Sequence, residues 1–299
     1  MNLRDMIQAI RRRANQPTNS GLVTDSELAQ YVNFGQDMVV NKIVEADEGY
    51  FEDQDSSLGF VADQREYDLP ERVRGRVISL IERTDITSPV PLREIRFQDR
   101  ERYARNSLNL LLGSDERFYY LRGQKLGVVP TPDSTIANNL RLSFIRRPAE
   151  LSYGTVASGT STTLTLPATP TAGTTWQIDD YYNSDSVYIV SGTGAGQRRD
   201  VSDYVGSTRT LTLSSAWSTT PDTTSMYSFI SPIPEQYHEI LVAYAVRAIH
   251  QKDLNRDGIA TWNETLGTLL GLLLTSIETR VTDEAKYIRS TNDNMEEWS

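Results

Sequence analysis

The chain has 299 residues and a formal net charge of -10, and it contains no cysteine. Disulfide staples, thiolate metal sites and thiol nucleophiles are therefore excluded, and an acidic surface disfavours a grip on nucleic-acid phosphates, which needs clustered Lys and Arg. The longest apolar run, around Leu269 to Leu274, is too short to span a bilayer, and Met1-Asn-Leu-Arg-Asp has no signal-peptide core, so the reading expects a soluble, unsecreted protein without a membrane partner.

Taken in order, Leu3, Met6, Ile7 and Ile10 recur at the spacing of one helix face. Arg11, Arg12 and Arg13 stand in the last turn, where basic residues complement the helix dipole, and they are read as a cap and not as a phosphate patch. After a polar loop with Pro17 and Gly21, Thr24-Asp-Ser-Glu27 has the form of a capping box, opening a second helix that carries Leu28, Tyr31, Val32, Met38, Val39 and Ile43. Two such helices joined by a short loop predict an antiparallel pair. Residues 50–66 are acidic and read as irregular; Tyr67-Asp-Leu-Pro70 leads into a strand over Val73 to Ile81, and Pro89 and Pro91 break the segment after it. Tyr103, Leu108, Leu111 and Leu112 predict a helix within Phe97 to Leu112, stopped by Gly113.

The stretch from Tyr119 to Leu151 predicts strand, turn at Arg122-Gly123, strand, loop, strand. Pro130 and Pro132 end the second strand and Pro148 the third, in which Leu140, Leu142 and Phe144 alternate with polar residues. Beyond Leu151 the composition turns to Thr, Ser and Gly without lysine up to Ser231, and short β-prone runs at Thr163 to Leu166, Val187 to Val190, Thr208 to Leu213 and Met226 to Ile230 predict an all-β module. Helical patterns resume after Pro232 and Pro234, first through Tyr237 to Ile249 and then from about Trp262 to Ile277. The expected fold class is thus α+β: an N- and C-terminal α-helical bundle with a small antiparallel β-sheet (1–150 and 232–299), an inserted all-β sandwich or barrel-like domain (151–231), and an acidic tail (292–299) with Trp298 as an aromatic anchor.

Few residues suggest chemistry. Asp253-Leu-Asn-Arg-Asp-Gly-Ile-Ala-Thr-Trp-Asn-Glu264 has the pattern of a calcium loop, with Asp253, Asn255, Asp257 and Glu264 as oxygen ligands; an Asp- and Gly-rich turn between helices needs no metal, and both readings stand. Gly192-Thr-Gly-Ala-Gly196 comes after a strand but precedes Gln197-Arg-Arg and another strand, so it reads as a tight turn and not a phosphate cradle. His238 and His250 are twelve positions apart and cannot form a zinc pair at helical spacing; both are placed on helix surfaces. No catalytic constellation passes the geometric tests, so neither an enzyme nor a cofactor is expected. Trp176, Tyr181, Tyr182, Tyr188, Tyr204 and Trp217 give the β module either an aromatic core or an exposed surface for a carbohydrate or receptor.

The order of elements resembles the head-to-tail adaptor proteins of tailed bacteriophages, also described as connector, tail tubular or neck proteins. The resemblance rests on the helix pair ending near Tyr50, Tyr67-Asp-Leu-Pro70, the hairpin Tyr120-Leu-Arg-Gly-Gln-Lys-Leu-Gly-Val-Val-Pro-Thr-Pro132, the strand ending Phe144-Ile-Arg-Arg-Pro-Ala-Glu-Leu151, and the helices from Ile233. Gly192-Thr-Gly-Ala-Gly-Gln-Arg198, Tyr204, Trp217 and Pro221-Asp-Thr-Thr-Ser-Met-Tyr227 resemble a β module recurrent in phage structural proteins. The resemblance implies a structural virion protein of the neck, assembled in the host cytoplasm into a ring, usually of twelve copies. That ring would dock on the portal protein, extend the DNA channel without sequence-specific DNA binding, and offer a platform to tail or nozzle proteins. It further implies portal binding through the tail, with Glu296 and Glu297 around Trp298. The alternative is a receptor- or carbohydrate-binding virion component that uses residues 151–231.

Overall fold

The computed structural model describes residues 1–16, 22–83, 89–104 and 117–281. Helix α1 (Leu3–Arg13) starts at Asn2, whose side chain accepts the Asp5 amide at 3.1 Å, and it buries Leu3, Met6, Ile7 and Ile10. Full burial of each such side chain contributes roughly 1.5–3 kcal/mol before the entropy of ordering it is counted. In α2 (Asp25–Ala46) Thr24 accepts the Glu27 amide at 3.2 Å, the first half of the capping box. The Glu27 carboxylate does not complete the box, because Tyr31 at 2.6 Å and Lys252 at 2.7 Å take it instead.

The first sheet has seven strands in the order β1-β7-β3-β4-β5-β6-β2. They are β1 (Glu52–Asp55), β2 (Glu66–Asp68), β3 (Val73–Glu82), β4 (Val90–Glu94), β5 (Phe118–Arg122), β6 (Lys125–Val129) and β7 (Leu140–Arg146). This sheet differs from the sequence expectation in two ways. The sheet is not small and purely antiparallel: it is mixed, since β4 runs parallel to β5 through Arg93↔Phe118 and Glu94↔Tyr119. Nor is the acidic segment 50–66 irregular, because β1 pairs with β7 along the sheet edge and β2 with β6. Charged residues suit such an edge, where they discourage further strand addition. Pro91 does not exclude a strand: β4 uses it opposite Ile81 of β3, and its pairing with β5 begins two residues later, so no ladder bond is asked of the proline. The predicted hairpin β5–β6 forms, with Gly123 at φ +59° in its turn. Helix α3 covers Arg100–Ala104; Leu108, Leu111, Leu112 and Gly113 lie outside the described residues.

The second sheet is antiparallel throughout, in the order β8-β14-β11-β12-β13-β10-β9. Its strands are β8 (Tyr153–Thr155), β9 (Ser158–Gly159), β10 (Thr163–Thr165), β11 (Ser186–Ser191), β12 (Arg198–Val205), β13 (Thr210–Leu213) and β14 (Met226–Ile230). The strands through which the chain arrives and departs, β8 and β14, are direct neighbours, Tyr227 facing Gly154. Helices α4 (His238–Lys252) and α5 (Arg256–Val281) then pack on each other and on α1 and α2. Helix α5 begins six residues before Trp262, with Asn255 accepting the Gly258 amide at 3.0 Å.

Two apolar cores result. One is built by the first sheet around Phe60, Leu80, Leu126, Val128 and Leu142. The other runs without a break from the four long helices into the second sheet, joining Met6, Val32 and Leu241 to Tyr182, Leu211 and Phe229. Strand β7 serves both by its period of two: Leu140, Leu142 and Phe144 face the first core and Ile145 the second.

Candidate functional site

Where the two sheets meet, charged groups are buried against each other. Arg72, just before β3, is 7% exposed, and Asp185, just before β11, is 6% exposed. Nη2 of Arg72 lies 3.3 Å from Oδ2 of Asp185, and both Arg72 and Arg146 donate to the carbonyl of Asn183. Arg146 adds Asp53 at 4.0 Å and Asp185 at 3.9 Å. Burial raises the Asp185 carboxyl above its ordinary range, while Arg72 and Arg146 pull it down. For Arg72 the same burial lowers the guanidinium and Asp185 raises it. Each ion is thus tolerable only because the other is there. Beside this joint opens a cleft of about 590 Å³ lined by Asp53, Asp55, Asp68, Glu71, Asp179 and Asp180. Asp180 is raised by burial, with Asp203 and Asp179 adding repulsion.

The residues singled out from the sequence are scattered over the fold. Asp253 and Asn255 lie in the turn between α4 and α5, Asp257 in the first turn of α5, and Glu264 further along the same helix. A straight helix spreads Asp257 and Glu264 along its axis, and Asn255 is engaged as a cap. Among the described residues no group of three or more His, Cys, Asp or Glu could hold a metal ion. Gly192, Gly194 and Gly196 all have positive φ and form the turn between β11 and β12. His238 is not on a helix surface: it is 1% exposed, with Nε2–H donating to the Ile233 carbonyl at 2.7 Å and Nδ1 2.8 Å from the Met1 ammonium. His250 stands against Gly258, where an added Cβ would come within 2.7 Å of its ring.

The aromatics of the second sheet are mostly interior. Tyr182, Tyr204 and Trp217 are buried, Tyr182 stacks on Phe229 at 4.5 Å, and half-buried Trp176 and Tyr181 stack on each other at 5.3 Å. Tyr188 is likewise half-buried, so Trp176, Tyr181 and Tyr188 are the three of the six aromatics that keep part of their surface in solvent. Glu296, Glu297 and Trp298, with the rest of 292–299, lie outside the described residues.

Along α1 the arginines do more than complement a dipole. Arg11 binds Asp25 from α2, Tyr153 donates to the same carboxylate at 2.8 Å, and Arg13 pairs with Glu239 of α4. Tyr153 is raised by burial and then by its bond to Asp25. Asp25 therefore fastens α1, α2 and β8 together. Asn33 and Gln36 of α2 add bonds to the backbone at Leu151 and Ala149, so the passage from the first sheet to the second is tied to the helices over several residues.

A family model described as SU10 adaptor protein matches residues 1–172, from α1 through β10. No curated protein matches the chain.

Proposed function

From the premise that this chain belongs to the SU10 adaptor protein family of phage head–tail adaptors, we propose that its copies form a ring docked coaxially on the portal, extending the DNA channel and receiving tail or nozzle proteins. As a family member it is a structural component of the virion, of a kind not known as an enzyme class. Its place in this reading is the neck, in a ring of twelve assembled in the host cytoplasm.

The family match carries the reading, and the physical character of the chain agrees with it. The packed layer of α1, α2, α4 and α5, which we read as a helical bundle, supplies a stiff body. Head-to-tail contacts between such bodies close into a ring when the rotation divides a full turn. A net charge of -10 lets DNA pass without adhering. Residues 151–231 are the insertion in this reading, packed on the helices through a shared core, with their outer surface available to neighbouring virion proteins.

The test is electron microscopy of the purified chain mixed with portal rings. A coaxial ring added to one end of the portal is the expected result. Portals that stay bare across low and high salt would end the adaptor reading.

A further inference from the structure

Between α1 and the β8–β14 edge of the second sheet lies a cavity of about 840 Å³. Arg4, Arg11 and Arg12 line it, and Gln8, Asn15 and Gln16 bring amide groups. Its acid is Asp25, which is already held by Arg11 and by Tyr153. Arg12 donates through Nε to the Gln8 carbonyl at 3.3 Å, and neither Arg4 nor Arg12 forms an ion pair among the described residues. Ile7 and Met226 give the same cavity an apolar wall. A donor-rich, positively charged hollow in a chain of net charge -10 calls for an anionic occupant.

The shape chooses among anions. A lone inorganic ion would leave the apolar wall and most of the volume unused, and the convex phosphate ridge of a duplex does not enter a hollow between a helix and a sheet edge. An acidic peptide segment with apolar side chains beside its carboxylates uses both features. The chain itself carries such a segment, Asn292-Asp-Asn-Met-Glu-Glu-Trp-Ser299. The hydroxyl of Tyr237 donates to the Leu272 carbonyl at 3.5 Å, next to the place where Met1 meets Glu235 and His238. Helix α5 therefore leads its chain past the end of the helical layer at which α1 starts. From Val281 to Glu296 an extended chain spans up to roughly 50 Å, while α1, with its 11 residues, is about 16 Å long.

We propose that in the free subunit this cavity seats the chain's own residues 292–299, with Glu296 and Glu297 on Arg4 and Arg12 and Trp298 against Ile7 and Met226. The consequence for assembly rests on the adaptor reading: portal docking then draws on a segment that the free subunit holds back.

The test is photo-cross-linking of the full-length chain carrying Trp298→benzoylphenylalanine, prepared as a mixture of isotopically light and heavy copies. Cross-links from position 298 to Ile7, Tyr153 or Met226 within one copy are expected. Arg4→Glu with Arg12→Glu should lower their yield about tenfold or more, and adding Glu296→Arg with Glu297→Arg should restore it. Cross-links that run only between copies or only to other surfaces, no cross-links at all, or a yield indifferent to charge reversal in a variant with unchanged circular dichroism would overturn the proposal. Should Arg4→Glu with Arg12→Glu fail to fold, Glu296→Gln with Glu297→Gln makes the same test from the other side. Bare portals in the microscopy experiment would end the adaptor reading and leave these cross-links untouched; cross-links absent beside well-formed rings would end this proposal alone.

Discussion

The ring of Tyr120 fills the space where Gly127 would carry a side chain. The two residues face each other across β5 and β6, and a Cβ on Gly127 would stand 2.1 Å from Cζ of Tyr120. Tyr120 is held over the glycine by its hydroxyl, which donates to Glu66 of β2 at 3.0 Å, so one ring ties together three adjacent strands.

Gly127→Ala should therefore destabilise the fold by about 1–3 kcal/mol, the usual cost of forcing an extra methyl into a packed site. Urea denaturation measures it. Tyr120→Ala is costly by itself because the ring is buried, but in that background the further change Gly127→Ala should cost less than it does beside the intact ring, and a Gly127→Ala variant as stable as wild type would show that the ring has room to move.

Asp185→Ala should cost about 3–5 kcal/mol, because it leaves Arg72 buried without its carboxylate. Replacing both partners by apolar residues, Arg72→Met with Asp185→Leu, should be far milder than the single change. A double-mutant cycle read by thermal denaturation separates the two cases; equal losses in the single and double variants would contradict the coupling.

Leu254 has φ +54° and is 85% exposed. It carries the left-handed strain of a non-glycine residue and buries almost nothing in return. Leu254→Gly should stabilise the isolated chain by about 0.5–1 kcal/mol, raising the melting temperature. If that variant instead melts lower, the side chain has a partner in solution.

Burial and the neighbouring Met1 ammonium hold His238 below its ordinary range, against the opposing pull of the Ile233 carbonyl and Glu235. The unfolded chain accepts a proton near the usual value of about 6.5 while the folded chain still resists it. Stability should thus be full above that value and decline as the pH falls from it toward the depressed folded value. Denaturant titrations between about pH 7.5 and 5.5 should show that decline, and His238→Gln should flatten it. An identical slope in both proteins would remove His238 as its source.

Local signals made part of this fold legible in advance. Gly123 and the prolines after Val129 bound the β5–β6 hairpin, and alternation at Leu140, Leu142 and Phe144 marks β7, because turn chemistry and a half-buried face both leave traces within a few residues. Strand β1 escaped because its residues Glu52 to Asp55 have no apolar period; it is a charged edge recognisable only beside β7. Strand β4 escaped because Pro91 argues against any strand paired on both sides. The Arg72–Asp185 joint links positions 113 apart, and no local pattern announces such a pair. The α1 arginines satisfied a simpler rule about helix ends, which hid their part in lining a cavity.

Since β8 and β14 lie side by side, everything between them hangs from a double stem whose two stalks share a ladder. The stem does not make that segment separable, because Tyr182, Leu211 and Leu213 share one core with Met6, Val32 and Leu241 of the helices, and any replacement would have to refill it. It would meet a charge condition as well: it must bring an acid of its own to Arg72, or that cation would be left buried and unanswered.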